Sequence, residues 1–187
     1  MANSRWQKKY YGRKKIDNWF LKVKPGCKLK VRLVGDAVRL VRIFTRDSRC
    51  INIDSEETAN KLKEKYPDKV ENISVKYACW CFDRHGGKMK ILEMPVSVFS
   101  AISNRMVSTG KKISDIEEGC DWKISTNGAK GIDVRYEVTY LKESCLTAIE
   151  QNMVADRKTD KKMQYDLTEM FPCFGFWEAE WQLRDDE

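Results

Sequence analysis

Residues 27–33, CKLKVRL, alternate apolar and cationic side chains at every position, and this stretch constrains the fold more than any other. A period of two is that of a β-strand with one face buried and one face in solvent. Gly35-Asp36 reads as a turn, and the β-rich residues 37–46, AVRLVRIFTR, follow it. The sequence therefore predicts a β-hairpin with one apolar and one cationic face.

Further strand and helix signals follow in an informative order. The predicted elements are a polar helix with Ser55 as N-cap (55–66), a strand (73–84), a glycine turn (85–87), a return strand (88–94), a helix from Pro95 to Gly110, and a last hairpin (121–126 with 132–141). A helix placed before the final two strands is what a five-stranded Greek-key OB barrel requires. We therefore predict a mainly β fold, an OB-fold barrel with helical decoration.

The two ends of the chain differ in charge. Residues 1–50 hold 15 Lys and Arg against 3 Asp and Glu, whereas the last twelve hold 5 acids against one cation. We predict a basic aromatic arm (1–18), an OB-fold domain (19–143), and a helical extension with an acidic aromatic tail (144–187). Helical stretches are expected near 144–155 and 159–170. A basic first third favours a polyanionic partner, nucleic acid before an anionic membrane, although an ordinary solvated surface explains the same charges.

The cysteines and the hydropathy indicate the compartment. Seven cysteines, an odd number without regular spacing, do not suggest a disulfide framework. The sequence has neither an apolar run of about 18 residues nor an apolar segment after its basic start. We therefore expect a cytoplasmic protein, in the host's cytoplasm if the chain is viral, with no membrane partner.

Residues 77–92, YACWCFDRHGGKMKIL, raise the question of a metal. Cys79 and Cys81 on a strand would be roughly 7 Å apart, which is too far for easy chelation. With His85 and Cys50 they make at best a weak zinc site. The stretch predicts a hairpin instead, and we expect neither a metal nor another cofactor.

The same strand places Trp80, Phe82 and Arg84 on one face. If that face is exposed, the two rings can stack on bases. If the C-terminal segment covers it, the rings form a second core. The sequence leaves both alternatives open.

Three stretches together resemble a known family over about residues 26–142. They are KLKVRLVGDAVRLVRIF, KYACWCFDRHGGKMKILEMPVSVFSAISNRM and DWKISTNGAKGIDVRYEVTYL. In element order they are similar to the single-stranded DNA-binding (helix-destabilising) proteins of T-even-type phages. The resemblance implies an OB-fold protein that coats and protects single-stranded DNA in phage DNA replication, recombination and repair. It also implies self-association through a basic N-terminus and recruitment of replication or recombination proteins through an acidic C-terminal tail. The zinc module of the family's best-known member does not map onto these residues.

Single-strand binding requires cations for phosphates and rings for bases. The candidate residues in the predicted barrel are Lys28, Lys30, Arg32, Arg39, Arg42, Phe44, Trp80, Phe82, Arg84 and Lys88. The arm would add Trp6, Lys8, Lys9, Tyr10, Tyr11, Arg13, Lys14 and Lys15.

Two rival functions use the same residues differently. An RNA-binding OB-fold protein would need the same cations and rings. A protein-interaction module would instead bind a host or replication factor through the acidic aromatic tail. An enzyme is not expected, because the sequence contains no G-x-S-x-G, P-loop or H-E-x-x-H motif. Asp54, Glu56 and Glu57 suit a helix N-terminus better than a metal cluster.

Overall fold

The fold is taken from a computed structural model, which describes residues 19–110, 112, 114–129, 134–159 and 166–184. The strands are β1 (Phe20–Lys22), β2 (Lys28–Thr45), β3 (Cys50–Ile53), β4 (Val70–Asp83), β5 (Lys88–Pro95), β6 (Cys120–Thr126) and β7 (Tyr136–Glu143). The helices are α1 (Glu56–Lys65), α2 (Val96–Thr109), α3 (Ala148–Thr159), α4 (Leu167–Met170) and α5 (Phe176–Arg184). The prediction of a mainly β chain is confirmed.

The strands form a sheet in the order β1-β5-β4-β2-β6-β7, with β3 paired to β2 outside this path. Strand β1 runs parallel to β5, and β6 lies antiparallel between β2 and β7. The register places Lys30 of β2 opposite Lys123 of β6, and Lys123 opposite Thr139 of β7. The predicted pairing of 121–126 with the following strand is therefore confirmed, and residues 130–133 lie outside the described residues.

The predicted hairpin at Gly35-Asp36 is wrong. Residues 28–45 form one continuous strand, and its two ends pair with β6 and β3 rather than with each other. Gly35 has a φ of 71°, and its N–H donates to the carbonyl of Ser114 (3.3 Å). A glycine with positive φ inside a strand bends the strand without reversing it. The chain reverses after Thr45 instead, where Ser48 has a φ of 67°.

Both longer predicted helices are confirmed with their ends. Ser55 caps α1, because its hydroxyl accepts from the Thr58 N–H (3.1 Å). Helix α2 follows Pro95 and ends at Gly110, which adopts a left-handed φ of 65°. The C-terminal helices differ from the prediction: α3 runs four residues further than expected, and α5 was not predicted.

Packing divides the chain into two compact units, Met1–Ala37 with Ala78–Tyr165 (unit 1) and Val38–Tyr77 with Asp166–Glu187 (unit 2). These units group segments that pack together, whereas the division predicted from the sequence follows chain order. In unit 1, apolar side chains of β2, β4, β5, α2 and β6 are buried; they include Val31, Leu33, Cys79, Phe82, Ile91, Met94, Ile102, Trp122 and Ile124.

Unit 2 packs α1 and α5 on strands β2 and β3, with Leu62 and Leu183 in its core. Glu180 of α5 is buried and accepts hydrogen bonds from the Lys65 ammonium (2.6 Å), the Tyr66 hydroxyl (2.5 Å) and the Arg184 guanidinium (2.9 Å). These donors, Lys65 first, lower the pKa of Glu180 to about 2. The ionised carboxylate therefore fastens α5 to the end of α1.

Candidate nucleic-acid interface

The cationic face predicted for β2 is present, and strand β6 extends it. Lys28 and Lys30 lie on the same face of β2, and the register sets Ser125 and Lys123 of β6 opposite them. Lys28 is exposed, whereas Lys30 and Lys123 are half-buried. Lys123 was missed as a candidate, although the alternation of DWKIST could have placed it on the polar face of its strand.

Lys30 and Lys123 are an unusual pair, because like charges directly opposite on neighbouring strands repel each other. Within the described part of the chain, neither ammonium group forms an ion pair with a carboxylate. Glu137 on β7 is a diagonal neighbour of Lys123, and its carboxylate accepts from the Ser125 hydroxyl (3.1 Å). An anion above this face would relieve the repulsion.

Arg32, the next cation along β2, was predicted to contact phosphate and has a structural position instead. Its side chain is fully buried, and its guanidinium donates to the carbonyls of Ser144 (3.0 Å), Leu33 (2.7 Å) and Asp115. Burial lowers its pKa. A Cβ at Gly119 would overlap the guanidinium, so this position requires glycine. Arg32 therefore ties three backbone segments of unit 1 together and does not face a ligand.

Arg84, also predicted as a phosphate contact, has two carboxylates as partners. Its guanidinium bonds to Asp121 (2.9 and 3.0 Å) and to Glu150 of α3. Asp121 is buried and also accepts from the Ser144 hydroxyl (2.9 Å). The Arg84 N–H donates to the carbonyl of Lys30 (2.9 Å), so Arg84 lies directly beside the lysine pair.

The structure decides between the two alternatives for the aromatic face of β4. Trp80 is 2 % exposed and Phe82 is 1 % exposed, so neither ring can stack on a base in this conformation. Helix α3 covers the face, and its Arg157 lies over the Trp80 ring (5.7 Å to the centroid). The prediction of accessible rings on this strand is wrong, because the chain after residue 144 folds back over them.

The remaining predicted contacts divide between the two units. Lys88 is exposed in unit 1. In unit 2, Arg39 is exposed and paired with Glu56, and Phe44 is half-buried. Arg42 is buried, bonds to Asn52 (3.0 Å) and lies over the Phe171 ring (5.5 Å), so it is a poor candidate for a phosphate contact. The arm residues Trp6, Lys8, Lys9, Tyr10, Tyr11, Arg13, Lys14 and Lys15 lie outside the described residues.

The cysteine stretch shows no sign of a metal centre. Among the described residues, no three or more His, Cys, Asp or Glu side chains are grouped so that they could hold a metal ion. Cys79 and Cys81 are buried, and burial raises the pKa of Cys79 to about 12 and that of Cys81 well above its usual value. His85 is exposed on the turn, and Cys50 is half-buried.

Unit 2 has the exposed tryptophans. Trp177 is 76 % exposed and Trp181 is 59 % exposed, and both lie on α5, one helical turn apart. Exposed indoles of this kind suit protein docking. Nothing in the described residues shows what would cover them, so the protein-interaction alternative stays a prediction.

Neither a membrane span nor a known family is found for this chain. Among the described residues, no helix is both long and apolar enough to cross a membrane. No protein-family model matches the chain, and no curated protein matches it either.

Proposed function

We propose that the sheet is an OB-type barrel. In chain order β2, β4, β5 and β6 lie in the spatial order fourth-first-second-third, which is the order of a Greek key. Helix α2 connects the third of these strands to the fourth, and β7 adds a fifth strand beside β6. This order agrees with a partly open five-stranded OB barrel into which β3 and α1 are inserted after the first strand.

We propose that this protein binds single-stranded nucleic acid, and single-stranded DNA in particular. The observation that carries the proposal is the half-buried pair Lys30 and Lys123, opposite each other and without a carboxylate partner in the described residues. Such a pair is electrostatically costly until a phosphate binds between its members. The charge of unit 1 supports this reading, since its sequence has 25 Lys and Arg against 14 Asp and Glu, a net of +11.

The choice of DNA rests on the resemblance to phage single-stranded DNA-binding proteins. The role that follows is coating and protecting DNA during replication, recombination and repair. Binding a single strand but not a duplex would melt duplexes by mass action, without any chemical step. RNA offers the same phosphates, so the test must include it.

Fluorescence anisotropy tests the proposal with labelled oligo-dT, oligo-U and a duplex at several salt concentrations. We expect oligo-dT to bind best, with an affinity that falls as salt rises. The double variant Lys30→Gln/Lys123→Gln should lose affinity and flatten the salt dependence, by roughly 0.7 in slope for each phosphate that the variant no longer neutralises.

Lys61→Gln/Lys63→Gln is the matched control, because it removes two charges from the exposed face of α1 in unit 2. The proposal predicts little change for this control. Equal losses in both double variants would show only a general charge effect, and absence of binding at low salt would end the nucleic-acid hypothesis. Stronger binding of oligo-U would move the assignment to RNA.

A further inference from the structure

Helix α3 lies along strand β4, and its contacts form a single stripe. Glu150 contacts Arg84, Arg157 contacts Trp80, and Val154 lies between them on the helix and is 2 % exposed. Positions i, i+4 and i+7 share one face of a helix. The stripe therefore follows the row of side chains from Arg84 to Trp80, which the sequence had suggested as the path of a single strand.

Arg157 lies close to two indole rings. Its guanidinium carbon is 5.2 Å from the Trp19 centroid and 5.7 Å from the Trp80 centroid. A guanidinium is planar and stacks on aromatic faces, as a nucleic-acid base does. The contact shows that these two rings accept a flat, polar group between or beside them.

Glu150 has a similar relation to Arg84. A carboxylate and a phosphate bind to a guanidinium through the same parallel hydrogen bonds. Arg84 would keep its bonds to Asp121 if Glu150 moved away, so the arginine would stay in position. It also lies beside Lys30, whose carbonyl accepts from its N–H, and so next to the lysine pair.

The contact of α3 with the sheet is narrow. Of its twelve residues only Val154 is buried, and Ile149 is 74 % exposed. Most of the remaining contact is made by the charged ends of the stripe. Regions with few buried apolar contacts open at lower free energy than a core does.

We propose that α3 is a displaceable cover that imitates a single strand. Its Glu150 takes the position of a phosphate at Arg84, and its Arg157 takes the position of a base at Trp19 and Trp80. A bound strand replaces both groups and uses the rings that are buried in the covered state. This inference rests on the proposed function and adds its regulation, since affinity then depends on how readily the cover opens.

Hydrogen exchange followed by mass spectrometry tests the cover on the full chain, with and without oligo-dT. We expect the amides of residues 148–159 to exchange faster in the complex. Glu150→Gln and Arg157→Gln each remove one imitating group. Glutamine at 150 can still accept from the Thr147 N–H, as Glu150 does (2.8 Å), so the helix start is preserved.

Both variants should bind oligo-dT about two- to tenfold more tightly than the wild type, because each raises the open fraction. Asn152→Ala, on the exposed side of the same helix, is the control and should leave the affinity unchanged. Circular dichroism should show that all three variants stay folded.

The outcomes separate this inference from the function on which it rests. If oligo-dT binds, but α3 exchanges no faster and both variants bind no more tightly, the cover is wrong and single-strand binding stands. If neither the wild type nor the variants bind oligo-dT at low salt, the proposed function fails, and the cover fails with it.

Discussion

Replacing Arg32 with alanine separates a structural arginine from a ligand-binding one. The guanidinium is fully buried and serves the carbonyls of Ser144, Leu33 and Asp115. Each buried polar group left without a partner costs about 1–3 kcal/mol, and water entering the vacated space recovers part of that. We therefore expect Arg32→Ala to lower the free energy of unfolding by about 3–5 kcal/mol. That is a large share of the stability of a typical domain, about 5–15 kcal/mol.

Urea unfolding at pH 7, followed by tryptophan fluorescence and circular dichroism, measures the change. Arg32→Lys should give an intermediate loss, because one ammonium cannot reproduce the fixed fork of a guanidinium. Arg39→Ala is the control: the same alternating pattern suggested it as a phosphate contact, but it is exposed and paired with Glu56, so its loss should stay below about 1 kcal/mol. If Arg32→Ala is no more destabilising than Arg39→Ala and instead weakens oligo-dT binding, Arg32 is a phosphate contact and its structural assignment is wrong.

Three further predictions concern stability and reactivity. Gly119→Ala should destabilise the protein by about 1–3 kcal/mol, because its Cβ would displace the Arg32 guanidinium, and should cost clearly less when combined with Arg32→Ala; a double-mutant cycle in urea measures the coupling. The pKa of Glu180, about 2 against a usual 4.5, means that its stabilising effect is present above pH 4.5 and is lost as the pH falls towards 2. The stability difference between the wild type and Glu180→Gln should therefore shrink across that window in acid titrations, and a constant difference would contradict the assignment. Iodoacetamide should label the exposed Cys145 in the native protein, but Cys79, buried and with a pKa of about 12, only after unfolding; peptide mass spectrometry distinguishes the two.

The elements that could be read from the sequence are those whose signals are local. The cap of α1 needs only Ser55 and its next turn, and the end of α2 needs only Gly110. The alternation of β2 placed its lysines on one face correctly. The reversal at Gly35 was wrong, because a glycine with positive φ suits both a turn and a bend, and only the distant partners β3 and β6 decide between them.

The part of the site that could not be predicted depends on contacts between distant segments. Whether Trp80 is a stacking ring or a buried one is decided by Arg157, 77 positions further along the chain. Period two predicts which side of a strand a residue faces, but it carries no information about what lies above that side. Lys123 was missed for a related reason, since its importance comes from its register opposite Lys30.

The cations of the predicted face also separate by residue type. Among the described candidates, Arg32, Arg42 and Arg84 bond to backbone carbonyls, an amide or carboxylates, whereas Lys28 and Lys88 are exposed. Arginine has five donors in a rigid plane and is more weakly hydrated than an ammonium, so it serves buried ties well. Lysine is a strongly hydrated point charge on a flexible stem, and it stays at the surface unless it has a partner. On a strand that alternates apolar and cationic residues, the lysines are therefore the better first candidates for ligand contacts, and the arginines should first be examined as structural links.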